Sequence, residues 1–124
     1  MNLLKKLFLI AFSFNLFVLT INAKDLNPSK SLIASGGVSD LVLVENKLFV
    51  ATTASTIDIF DISTDEKIDS IKLPKIKDFI GDTIDSKIYS VDVLGENILI
   101  LSQGENGGRN VDIYKDGKIE NIIK

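Results

Sequence analysis

The chain contains no cysteine, no histidine and no tryptophan. Without cysteine there is no disulfide, no thiol nucleophile, no iron–sulfur ligation and no lipidated cysteine anchor. Without histidine there is no Ser-His-Asp triad, no histidine-ligated haem and no usual zinc site. Carboxylate chemistry is what remains open: a calcium site or a pair of acids. Aromatic residues are also scarce in the body, because four of the seven phenylalanines (Phe8, Phe12, Phe14, Phe17) fall in the first 20 residues. Basic charge is short too. Lys5 and Lys6 are two of the 14 cations, so residues 24–124 hold 12 cations against 17 acids, a net charge of −5. An acidic body repels phosphate backbones, which argues against nucleic acid and anionic lipid as partners.

What is present falls into a leader and a repeat. Residues 1–23 read as a secretory signal peptide. Lys5 and Lys6 supply the positive start, Leu7 to Leu19 the apolar stretch, and Ile21-Asn22-Ala23 a cleavage site between Ala23 and Lys24. An uncleaved anchor is the alternative. The apolar run Leu7 to Ile21 is shorter than the ~20 residues a span needs and holds Ser13 and Asn15, so no stable membrane anchor is expected after cleavage. The expected location is the periplasm, and the leader is expected to be helical before cleavage.

Residues 24–37 form a polar lead-in with an Asn27-Pro28-Ser29 turn and a Gly36-Gly37 break. Within it, Leu32-Ile33-Ala34 is short and apolar and predicts a closing strand, loose unless a further blade is present to pair with it. Two similar stretches follow. Glu45-Asn46-Lys47-Leu48-Phe49-Val50, then Thr56 to Asp61, then Lys67 to Ile71 is the first. Glu96-Asn97-Ile98-Leu99-Ile100-Leu101, then Asn110 to Tyr114, then Lys118 to Ile122 is the second. Asn46 and Asn97 lie 51 positions apart, as do Lys67 and Lys118, while Asp58 and Asp112 lie 54 apart. Runs of Val, Ile, Phe and Thr bounded by Asn, Asp, Ser or Gly mark four strands in each copy. Four short strands repeating at roughly 40 to 50 residues predict β-propeller blades.

The expected fold is therefore all-β: two four-stranded antiparallel blades of a WD40-like β-propeller after a signal helix. The boundaries are 38–73 for the first blade, 74–86 for the linker and 87–124 for the second. Leu48-Phe49-Val50 and Ile98 to Leu101 are apolar without alternation, which implies burial on both faces. The fourth strands carry Lys and acids, as suits an outer edge. Their Ile68/Ile71 and Ile119/Ile122 spacing of three predicts a bulge or a short strand. Propellers close with typically 4–8 blades, so two blades predict an N-terminal piece of a longer protein, or copies that associate through the second blade near Leu99 and Leu101.

The candidate sites are few. Asp78, Asp82 and Asp85 in the linker suggest a calcium site, but their spacing does not match the EF-hand pattern, and local ion pairs with Lys75 and Lys77 are favoured. Gly104 to Gly108 lacks a following Lys-Ser/Thr and reads as a hairpin connection rather than a phosphate loop. Asp58 and Asp112 recur in mid-strand, where a structural hydrogen bond is favoured over acid/base chemistry. Phe79 and Ile80 are apolar on a connection, either a plug between blades, the favoured reading, or a partner contact. No catalytic, cofactor or metal residue is assigned.

Ser70-Ile71-Lys72-Leu73-Pro74-Lys75-Ile76-Lys77-Asp78-Phe79-Ile80-Gly81-Asp82, continuing through Ser86-Lys87-Ile88-Tyr89-Ser90-Val91-Asp92, together with Ile98 to Glu105, resembles the NapL family of periplasmic nitrate reductase accessory proteins. The resemblance implies an exported WD40-like propeller without catalytic residues or cofactor, whose protein partners are components of that reductase. The alternative is the N-terminal part of a propeller enzyme of lactonase-like or quinoprotein type, against which the missing His, Cys and Trp weigh.

Overall fold

The computed structural model describes residues 2–8 and 26–124. Residues 3–8 are helical; the rest of the expected signal, with its cleavage site at Ala23 and Lys24, lies outside the described residues. Among the described residues no helix is long and apolar enough to cross a membrane. The chain divides into residues 1–31 and a compact unit, Leu32–Lys124.

Ten strands build it. They are β1 (Val38–Val44), β2 (Lys47–Thr52), β3 (Thr56–Asp61), β4 (Glu66–Lys72), β5 (Ile76–Lys77), β6 (Thr83–Ile84), β7 (Ile88–Leu94), β8 (Asn97–Gln103), β9 (Arg109–Lys115) and β10 (Lys118–Ile123). They form an antiparallel first sheet β1-β2-β3-β4, a two-stranded β5-β6 and a second antiparallel sheet β7-β8-β9-β10, each strand beside its sequence neighbour. The turn residues explain this local pairing. Asp116 and Gly117 both have positive φ (51° and 76°) between β9 and β10, the conformation that a two-residue Asp-Gly hairpin favours. Asp61 accepts the Ser63 amide in the β3–β4 turn, an Asx motif that reverses the chain.

The strand positions match those read from the sequence, and so do the bulges. Register shifts fall between Ile59 and Phe60 opposite β4, with Ile68 as the extra residue, and between Asn121 and Ile123 in β10. Leu32-Ile33-Ala34 forms no strand, as expected with no further blade to pair with it, and the neighbouring Ser35 donates its amide and hydroxyl to Asp58. Linker residues 74–86 contain the β5–β6 hairpin rather than being a plain loop.

The two sheets are superposable in register, at a spacing of 50 rather than 51 for their first two strands. In the first sheet Leu41, Val50, Asp58 and Ser70 stand in one cross-strand row. In the second, Val91, Ile100, Asp112 and Asn121 do. The turns agree, since Glu45 and Gly95 occupy the same place with φ of 53° and 61°.

The core is one cluster drawn from both sheets. Phe49, Ala51, Ile57, Ile59 and Ile71 on one face of the first sheet pack with Val91, Ile98 and Ile100 of the second, and Val93, Tyr114 and Ile119 adjoin them. Each fully buried Ile is worth about 1.5–3 kcal/mol over its exposed state. Polar staples cross between the first strands. Asp40 accepts from Ser90 Oγ at 2.6 Å and from the Val91 amide at 3.0 Å. These donors, Ser90 first, hold the Asp40 carboxyl below the usual carboxylate range. Ser39 Oγ lies 2.7 Å from the Ile88 carbonyl oxygen.

Candidate interaction site

The most distinctive surface feature is the β5–β6 hairpin. Four turn residues, Asp78 to Ile80 with Gly81, are followed by Asp82, and short-range bonds lock them. Asp78 Oδ1 accepts the Ile80 amide at 3.0 Å and the Asp82 amide at 2.8 Å. The Asp78 amide donates to the Asp82 carbonyl oxygen at 3.0 Å. Lys77 Nζ reaches Thr83 Oγ1 at 2.9 Å. One acid side chain thus does what a longer strand ladder would do, and holds a tight tip.

Two large apolar residues stand on that tip. Phe79 is 79% exposed and Ile80 82%. The expectation that they plug a gap between sheets is therefore corrected: they face solvent. The backbone at the tip is satisfied by Asp78, so folding this turn does not require either side chain to be buried. Phe79 has a backstop. A Cβ on Gly107, whose φ is +76°, would come within 2.6 Å of Phe79 Cζ. The ring edge therefore rests against a position whose positive φ favours glycine. Gly107 lies in the 3₁₀ turn Glu105–Gly107, which is how the glycine-rich 104–108 connection contributes to this surface.

The three linker acids do not converge. Asp78 is committed to its own turn, and Asp85 pairs with Lys72 at 3.3 Å and Lys75 at 3.6 Å. Among the described residues no group of three or more His, Cys, Asp or Glu side chains is placed to hold a metal. Asp85 forms the local ion pairs, while Asp78 accepts backbone amides of its own turn.

Asp58 and Asp112 are structural in their contacts. Asp58 is fully buried and accepts from the Ser35 amide at 2.6 Å, Ser35 Oγ at 2.9 Å and Ser70 Oγ at 2.8 Å, with Lys67 Nζ at 3.1 Å. Burial pushes its carboxyl up, but the donors, led by the Ser35 amide, outweigh burial and hold it below the ordinary value. Asp112 accepts from Asn121 Nδ2 at 2.7 Å. Beside it lies a cavity of about 240 Å³ lined by Leu73, Ile76, Ser86, Ser102, Asp112 and Asn121, among others. Ser102 Oγ is buried without a hydrogen-bond partner. The sequence carried no signal for this cavity, whose walls come from five separate stretches of chain.

No protein-family model matches the chain, and no curated protein matches it.

Proposed function

We propose that the chain is an exported, non-catalytic binding module of WD40-like propeller type that docks a protein partner through the Phe79–Ile80 tip. The observation that carries the reading is the tip itself: two exposed, bulky apolar side chains on a turn braced by Asp78, Lys77 and the Gly107 backstop. A preorganised apolar anchor costs little ordering entropy on binding and fills a pocket on a partner. The partner surface it fits is an apolar cleft with a polar rim, matching Lys75, Lys77 and Asp82 around the tip. Two four-stranded antiparallel sheets, in one register and packed face to face, support the propeller reading. Asp58 and Asp112, the mid-strand carboxylates, are each engaged in hydrogen bonds, Asp58 with Ser35 and Ser70 and Asp112 with Asn121, which supports binding over catalysis.

The resemblance in Ser70 to Asp92 points to periplasmic nitrate reductase components as the partner, and that stretch contains the tip. The test is a deletion strain complemented with the normal chain or with Phe79→Asp. Deletion is expected to lower periplasmic nitrate reductase activity, and Phe79→Asp to be exported at normal level without restoring it. Unchanged reductase activity in the deletion strain would remove the nitrate reductase reading. Full complementation by Phe79→Asp would remove the tip.

A further inference from the structure

We infer that the far face of the second sheet is a docking face for the first sheet of a second copy of this chain, in a head-to-tail arrangement. The first sheet presents Phe49, Ala51, Ile57 and Ile59 to the second sheet, and all four are buried there. The pairing rows give their counterparts. Phe49 stands opposite Ile59 and Ala51 opposite Ile57 in the first sheet. Leu99 stands opposite Ile113 and Leu101 opposite Val111 in the second. Leu99, Leu101, Val111 and Ile113 therefore form the same four-residue apolar patch, on the same face of the same kind of sheet. None of the four is buried: Leu101 is 37% exposed and the others are half-buried. In the sister sheet the occupant of that patch is visible, and it is the opposite face of a four-stranded sheet.

The complementary surface is also on the molecule. The residues that the second sheet lays on the first include Val91 and Val93 of β7. Their counterparts in β1 are Leu41 and Leu43, which share cross-strand rows with Val50 and Leu48. Leu41 is 57% exposed and Leu43 is 53% exposed. The outer part of that face is already occupied, with Ser35 bonded to Asp58 and Lys67 Nζ 5.6 Å from the centre of the Phe60 ring. What remains open is the β1–β2 side, the same side on which Asp40 and Ser39 staple the two sheets together within one chain. One copy thus carries both halves of an interface whose template is its own intersheet packing. Because the halves are different surfaces, association is heterologous. It closes into a ring when the rotation per step allows, and otherwise extends.

The test uses the chain expressed in full and purified as the cell processes it, with sedimentation velocity as the readout. Leu41→Glu blocks one half and Leu101→Lys blocks the other; both sites are solvent-exposed, and circular dichroism confirms that each variant keeps its β spectrum. The unsubstituted chain is expected to self-associate in a concentration-dependent way. Each variant alone is expected to be monomeric. Mixed one to one, they are expected to form a heterodimer and nothing larger, because one intact pair of faces remains. An unsubstituted chain that stays monomeric at every concentration overturns the proposal. So does a folded variant that still self-associates, or a mixture that does not pair. The size of the unsubstituted assembly separates this inference from the propeller reading. Two to four copies supply the 4–8 blades of a closed propeller, whereas open polymers uphold the face pairing and remove the propeller.

Discussion

Replacing Asp58 by alanine is expected to destabilise the protein by about 3 kcal/mol, since three hydrogen bonds to a charged acceptor are lost together and one such bond is worth about 1.5–3 kcal/mol. The structure says where the loss comes from. Asp58 is 0% exposed, and it accepts from the Ser35 amide, two hydroxyls and Lys67. Alanine leaves the Ser35 amide without its acceptor, and that amide is what ties the lead-in segment to the first sheet. The Lys67 side chain is 33% exposed, so its ammonium returns to water and adds little. Asp58→Asn is expected to cost less, about 1–3 kcal/mol. Its amide can take the place of Oδ1, where Ser35 and Ser70 hydroxyls can turn and accept. The remaining oxygen can still serve the Ser35 amide and Lys67.

Asp112→Ala is the control, at the same row position of the second sheet. Asp112 has one short bond, from Asn121, and that amide also lies 3.2 Å from the Ile123 carbonyl oxygen. The expected loss is about 1 kcal/mol, the net value of one ordinary hydrogen bond. Urea unfolding followed by far-ultraviolet circular dichroism at pH 7 measures all three, with the denaturant slope unchanged. Against a total stability of about 5–15 kcal/mol, the difference between the two alanine variants is easily resolved. Equal losses at Asp58 and Asp112 would refute the reasoning, since the two differ in the number of donors and not in residue type or strand position. The pH dependence has a definite sign. The folded Asp58 carboxyl lies below its ordinary value. Its contribution is therefore full above the unfolded pKa of about 3.9 and is lost as pH falls through the folded value. Asp58→Asn should flatten that acid limb.

Two further outcomes are expected. Asp40→Ala removes the acceptor that joins the first strands of the two sheets and should cost about 1–3 kcal/mol. Asp40 also sits below the ordinary carboxylate value, so its share, like that of Asp58, is present above the unfolded pKa and fades below it; a variant as stable as the parent at pH 7 would show that the staple is decorative. The mature chain should begin at or near Lys24 in periplasmic extract, read by N-terminal sequencing, and recovery only in washed membranes with Met1 retained would refute export with cleavage.

Much of the architecture was legible because the strands are short, rich in Val and Ile, and bounded by turn residues whose geometry is local. The bulges were legible from an Ile spacing of three. For the first two strands the offset is 50, not 51: Glu45-Asn46 and Glu96-Asn97 look alike as letters, while the turns are set by backbone conformation. Glu45 and Gly95 share the left-handed position, and the cross-strand rows follow the turn, not the letters. The β5–β6 hairpin escaped notice because two-residue strands have no period to detect. Its order comes from the Asp78 side chain acting on the backbone. Phe79 and Ile80 stand out in the sequence as apolar residues on a connection. Their direction was not readable, because a hairpin tip can face a sheet or solvent with the same residues.

The unequal surroundings of Asp58 and Asp112 follow from one difference between the copies. The spacing of 50 that relates β1 to β7 carries Ser35 onto Asp85. In the first sheet Ser35 donates an amide and a hydroxyl to Asp58. A carboxylate at that place cannot donate, and two acids side by side repel. Asp85 instead pairs with Lys72 and Lys75, at the end of β4 and in the linker that β4 leads into. Asp112 accepts from Asn121, and a pocket lies beside it at Ser86 and Ser102. Ser102 repeats the contrast. Its counterpart Thr52 lies 2.7 Å from Thr56 Oγ1, whereas Asn110 stands opposite Ser102 and its side chain turns toward Gly104. Ser102 Oγ keeps no partner. The lead-in segment thus covers Asp58 in the first copy, whereas in the second, whose Asp85 is committed to Lys72 and Lys75, a half-open pocket lies beside Asp112.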